Sequence, residues 1–169
     1  MWNSLFNRSG SDRAHAVPEN PNAQTLVNKP FGERMLLKLD EIRWTARGAG
    51  SRLPVGALPQ LGRIEDVLQP LLEHLVANPP NVDEEIAVQA LVTDYLPTTL
   101  GAYIGLNRQF ALAVGADGRT PGDELLDQLV TLANAAEDLG RAVYAHDGDQ
   151  LKTQGRFLTT KFQQSDLAL

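Results

Sequence analysis

Few residues in this chain are equipped for chemistry. Its 169 residues include no cysteine and only three histidines, His15, His74 and His146. Disulfides, thiolate metal sites, iron–sulfur clusters and cysteine nucleophiles are therefore excluded. His146 precedes Asp147, which makes this pair the one weak candidate for a metal-binding dyad. A competent site needs more ligands, and the other histidines are far away in sequence. The ordinary alternative is a histidine at a helix end, interacting with the C-terminal dipole. His74 follows Glu73 on a leucine-rich segment and is expected at its exposed edge.

The carboxylates are no more specific. Asp147 and Asp149 resemble the opening of a calcium loop, but Gln150-Leu151-Lys152 follows, and neither the D-x-[DN]-x-[DN]-G pattern nor its closing glutamate is present. Asp83-Glu84-Glu85 predicts a solvated capping face at a helix start. The glycine-rich basic stretch from Arg47 to Gly56 lacks the phosphate-loop pattern and has no strand before it. H-E-x-x-H, G-x-S-x-G and G-x-G-x-x-G are all missing. No catalytic residue is assigned, and no cofactor is expected.

Charge is unevenly divided. Residues 1 to 63 carry nine Lys/Arg against five Asp/Glu, whereas residues 64 to 169 carry six against sixteen. The basic front half therefore either faces something anionic or folds against the acidic remainder. A pI near 5.0 argues against nucleic acid as a partner, and aromatics are too sparse for a single-stranded nucleic-acid platform.

The elements that would position these residues are helices. From Phe31, Met35, Leu39, Ile42 and Ala46 recur at helical spacing, flanked by Arg34, Lys38, Arg43 and Arg47. Gly48, Gly50 and Pro54 stop this helix. A second runs from about Leu58 to Ala77 on Leu61, Ile64, Leu68, Leu71, Leu72 and Leu75, with a kink expected at Pro70. Asn78-Pro79-Pro80-Asn81 ends it. The third opens near Asn81 or Asp83 and places Ile86, Ala90, Tyr95 and Leu96 at mixed three-to-five spacing. It continues past Pro97 through Leu100, Tyr103 and Ile104 as one proline-kinked helix. Gly115 to Arg119 forms a turn. Thr120-Pro121-Gly122-Asp123-Glu124 is the clearest helix start, with a cap, a proline and first-turn acids. The fourth helix follows with Leu125, Leu126, Leu129, Leu132, Ala133, Ala136, Leu139 and Val143, and a short last helix carries Leu151, Leu158 and Phe162.

The fold class is thus all-α, an antiparallel bundle of four to five helices with proline kinks, preceded by a flexible tail. Residues 1–30 form the tail, 31–162 a single bundle domain and 163–169 a short C-terminal tail. Trp2, Leu5 and Phe6 would share one side of a helical turn and form a hook for docking onto a partner or a membrane interface. No apolar run reaches the ~18–20 residues of a membrane span, and the polar stretch after Met1-Trp2 predicts no signal peptide. The expected location is the cytoplasm, with room for contact at the inner membrane face.

Tyr95-Leu96-Pro97-Thr98-Thr99-Leu100-Gly101-Ala102-Tyr103, then Glu124-Leu125-Leu126 through Leu129, then Asp149-Gln150-Leu151 leading to Gly155-Arg156-Phe157-Leu158 and Lys161-Phe162, resembles the bacterial XpaC-like proteins. These are named for 5-bromo-4-chloroindolyl phosphate hydrolysis and are associated with toxic-anion (tellurite) resistance. The similarity covers roughly residues 60 to 162. It implies a phosphoesterase activity but supplies no catalytic motif to carry over. The residues themselves favour a non-enzymatic helical adaptor, in the setting of envelope or toxic-anion stress that the resemblance implies. Its protein partner would be met through Trp2, Leu5, Phe6, Arg34, Lys38, Arg43 and Arg47. Arg34 and Lys38 fall nearly opposite Arg43 and Arg47 on an ideal helix, so the basic set is not one compact patch. A phosphoesterase and a peripheral protein of anionic membranes are the alternatives, and the apolar surplus of the fourth helix would suit a homodimer.

Overall fold

The computed structural model describes residues 29–146 and 148–165, and every regular element among them is helical. The hook residues Trp2, Leu5 and Phe6, nearly all of the expected tail, and Asp147 lie outside the described residues. Helix α1 (Phe31–Ala49) buries the expected stripe of Met35, Leu39, Ile42 and Ala46. Gly50 ends it at φ 49° and ψ −122°, a backbone conformation that only glycine adopts readily, and donates its N–H to the carbonyls of Ala46 and Arg47.

Helix α2 (Ala57–Ala77) buries Leu61, Ile64, Leu68, Leu71, Leu72 and Leu75. It continues unbroken through Pro70. That residue is exposed, so the carbonyl one turn earlier loses its donor on the solvent side, where water can replace it. The third segment is one long rod made of α3 (Val82–Gln89), a π-helical turn (Ala90–Tyr95) and α4 (Leu96–Gly105). A proline lacks the N–H that would bond four residues back, and its ring crowds that carbonyl. The wider π turn immediately before Pro97 accommodates both effects without ending the helix. A short helix α5 (Arg108–Ala111) leads to α6 (Pro121–Ala145) and α7 (Gly148–Ser165).

Successive long helices alternate in direction, but spatial neighbours do not all alternate. Helix α1 packs on α2, α2 on α6, α6 on α4, and the π turn and α4 pack back on α1. Arg63 reaches Glu137 and Gly140 faces Val67, so α2 and α6 run parallel. Arg34 approaches Glu85 and Arg52 bonds the Ile104 carbonyl, so α1 and the α3–α4 rod also run parallel. The connection through Pro79 and Pro80 therefore crosses the bundle diagonal. Helix α7 lies against α3 and α6.

Among the described residues the basic front half pairs with the acidic remainder at three places: Arg34 with Glu85 at 3.7 Å, Arg43 with Glu65 at 3.0 Å and Arg63 with Glu137 at 2.6 Å.

Candidate functional site

Three of the four basic residues expected to meet a partner are engaged within the chain. Besides the pairs of Arg34 and Arg43, Lys38 Nζ lies 2.7 Å from Glu41 Oε2. Arg47 is exposed on the last turn of α1. What these residues flank is apolar. Trp44 is 78% exposed, and Leu37, 40% exposed, lies seven residues before it. At 100° per residue the two nearly superimpose, on the side of α1 opposite Met35, Leu39, Ile42 and Ala46. Asp40 and Glu41 border this stripe. Trp44 escaped the pattern of the sequence because a residue outside the apolar stripe carries no periodic signal of its own.

The carboxylate run at the start of α3 is not wholly solvated, contrary to expectation. Asn81 caps the helix, accepting the Glu84 N–H at 3.0 Å, and Glu84 Oε2 accepts the Asn81 N–H at 2.9 Å. Glu84 is only 2% exposed, and its Oε1 lies 3.1 Å from Nδ1 of His146. His146 itself ends α6 at φ 52°. The weak metal candidate therefore has its histidine beside the buried Glu84, while Asp147 falls outside the described residues. Among the described residues no three His, Asp or Glu side chains are grouped to hold a metal ion. His74 stacks edge-on against Tyr144, with ring centroids 5.1 Å apart.

A cavity of about 280 Å³ opens between the π turn, α4, the start of α6 and the end of α7. The π turn supplies Asp94 and Tyr95, α4 supplies Thr99 and Tyr103, α6 supplies Glu124, and α7 supplies Phe162. Tyr95 packs against Phe162 with centroids 5.2 Å apart, and its hydroxyl lies 3.3 Å from Thr159 Oγ1. That pair forms a wall shared with a second, more apolar cavity of about 470 Å³ beneath α7.

Two of the first cavity's polar groups are nearly enclosed. Thr99 is 5% exposed and Tyr103 is 9% exposed, one helical turn apart. Elsewhere in the bundle Thr45, Thr93, Thr131, Thr153, Thr159 and Thr160 donate to the carbonyl four residues back. Thr99 makes no such bond. Neither its hydroxyl nor that of Tyr103 has a hydrogen-bond partner among the described residues. Among the described residues Asp94 and Glu124 form no ion pair and no Lys or Arg lines the cavity; Asp94 Oδ1 accepts a hydrogen bond from Thr93 Oγ1 at 3.1 Å.

Carboxylates, hydroxyls and ring faces together make a binding surface: the first attract positive charge, the second exchange hydrogen bonds, and the third cover apolar or cationic groups. No protein-family model, curated protein or solved structure matches this chain.

Proposed function

We propose that the protein is a non-enzymatic helical adaptor that captures an amphipathic helix of another protein on the outer face of α1. The observation that carries this reading is Trp44, 78% exposed on a regular helix. A tryptophan left in water forgoes on the order of 2–3 kcal/mol of burial, and aromatic anchors of this kind dominate interface energetics. Leu37, two turns earlier, gives the i and i+7 spacing that an opposing helix matches. Asp40 and Glu41 beside the stripe are paired with Arg43 and Lys38, so the border of the stripe is nearly neutral and the apolar Leu37–Trp44 face itself is what a partner helix would cover.

The segments that resemble XpaC-like proteins lie elsewhere, around the cavity. Its unpaired Asp94 and Glu124 would repel a phosphate, so nothing at that site favours the phosphoesterase alternative.

The test places a photocrosslinking residue at exposed position 41 of the full chain in native-host lysate. The expected result is one partner, crosslinked through an amphipathic helix and lost on Trp44→Ala with the circular dichroism unchanged. Capture that survives Trp44→Ala would overturn the reading. Crosslinks between two copies of this chain would replace it with a homodimer, and Trp44-dependent binding to anionic vesicles would replace it with a membrane role.

A further inference from the structure

The cavity between α4 and α6 is a second site, independent of the α1 surface. From its chemistry we propose that it binds a small organic cation: an ammonium group attached to an aromatic or apolar body.

Three features converge there. The first is enclosure with unspent hydrogen-bonding capacity. Thr99 and Tyr103 line the cavity at 5% and 9% exposure, and neither hydroxyl has a partner among the described residues. Both oxygens are open to the cavity, since the buried side-chain oxygen without a partner among the described residues is Oε1 of Gln60, so water or an occupant can bond them. Thr99 has a remedy close at hand, the carbonyl of Tyr95, which six other threonines use at the equivalent position. It does not take it, which leaves the hydroxyl free for an occupant. Tyr103 reaches from α4 to the first turn of α6, its hydroxyl 3.7 Å from the place a Cβ on Gly122 would occupy.

The second feature is charge. Asp94 and Glu124, both exposed, come from different elements, the π turn and α6, and among the described residues no cation lines the site to neutralise them. Arg119, nearby in sequence, is committed to Asp127. The exposed rim of the cavity is therefore negative, which attracts a cation. The third feature is the aromatic lining. Tyr95, Tyr103 and Phe162 present three rings to one small space. Ring faces attract ammonium groups and equally cover an aromatic body. An anion would meet two carboxylates, and a neutral apolar ligand would leave them unused.

The four-residue spacing of Tyr95, Thr99 and Tyr103 puts them on one face of α4, and the π turn ends at Tyr95, the first of the set.

The experiment is calorimetric titration of the full chain with three probes of matched skeleton: 2-phenylethylammonium, 2-phenylethanol and phenylacetate. The cation is expected to bind about tenfold more tightly than the alcohol, and phenylacetate more weakly than either. Asp94→Asn with Glu124→Gln should erase that preference by weakening the cation alone. Thr99→Val, isosteric and without the hydroxyl, should weaken the cation several-fold while leaving the thermal unfolding curve nearly in place. Equal affinity for all three probes would overturn the proposal, as would no binding of the cation at millimolar concentration. Full cation affinity in the Asp94→Asn/Glu124→Gln chain, or in Ala102→Trp with the cavity filled, would overturn it as well.

Discussion

Nδ1 of His146 lies 3.1 Å from Oε1 of Glu84, joining the end of α6 to the first turn of α3. The other oxygen of that carboxylate closes the Asn81 capping box. One buried side chain thus serves two tasks: it satisfies a helix start and it fixes where the antiparallel neighbour ends.

The two partners should differ in worth. Glu84→Ala removes the cap and leaves the Asn81 N–H and the imidazole without their acceptor, and should cost about 1–3 kcal/mol in denaturant unfolding. His146→Ala removes a side chain that is 75% exposed, so solvent screening should hold its cost below about 1 kcal/mol. His146→Gly should be milder still, because glycine accepts the left-handed φ of 52° without penalty. A larger loss for His146→Ala than for Glu84→Ala would contradict this ranking.

Acid titration should single out Asp123. The Thr120 N–H first, and then the Thr120 hydroxyl, hold this carboxyl below the ordinary aspartate range, with the more distant Arg119 guanidinium adding to the effect. A carboxyl depressed on folding contributes stability that is present above the unfolded value of about 3.9 and lost as pH falls through the folded one. Thr120→Ala keeps the backbone donor and removes the hydroxyl. Asp123, followed by carboxyl-carbon NMR, should then titrate at higher pH than in the parent but still below an unstructured aspartate. An unchanged midpoint would mean that the hydroxyl contributes nothing.

The helices and their core were legible because burial imposes a period. Met35, Leu39, Ile42 and Ala46 were marked by spacing alone, and each is buried. The third helix was less legible: Ile86 is exposed and Ala90 and Tyr95 are half-buried, whereas Val88, Leu91, Val92 and Leu96 form the buried face around a π turn that the spacing did not announce. Other features had no trace in the spacing either. Thr99 and Glu124 become neighbours only through the packing of α4 on α6, and Glu84 looks like any first-turn acid until α6 brings His146 against it. A cavity is a property of what fails to touch, and periodicity records only what does.

Two glycines inside helices should respond to alanine in opposite directions. At Gly32 a Cβ would sit 2.6 Å from both the Leu72 carbonyl oxygen and the Val76 nitrogen, backbone atoms that cannot give way. Gly32→Ala should destabilise by about 1–3 kcal/mol despite alanine's better helix propensity, because α1 and α2 must part at their crossing. At Gly62, within α2, a Cβ meets nothing within 4 Å. Gly62→Ala should stabilise by about 0.5–1 kcal/mol. Thermal unfolding midpoints moving the same way in both variants would refute the close approach at Gly32.

The attachment of α7 should weaken from its far end. Leu151 and Leu158 are 2% and 5% exposed, whereas Phe162 is only half-buried and rests on Tyr95. Leu158→Ala opens a void between α7 and the bundle and should cost about 2–4 kcal/mol of global stability. Phe162→Ala removes the ring contact near the end of the helix, beyond the Tyr95–Thr159 hydroxyl pair. Its effect should be local: faster hydrogen exchange for amides from residue 160 onward, with the amides of α1 and α2 unchanged. The same substitution strips one of three rings from the cavity between α4 and α6, so it should lower affinity for 2-phenylethylammonium without a matching loss of thermal stability. Should exchange quicken throughout the bundle instead, α7 would be an integral layer of the core, and the cavity at its end could not be altered independently of the fold.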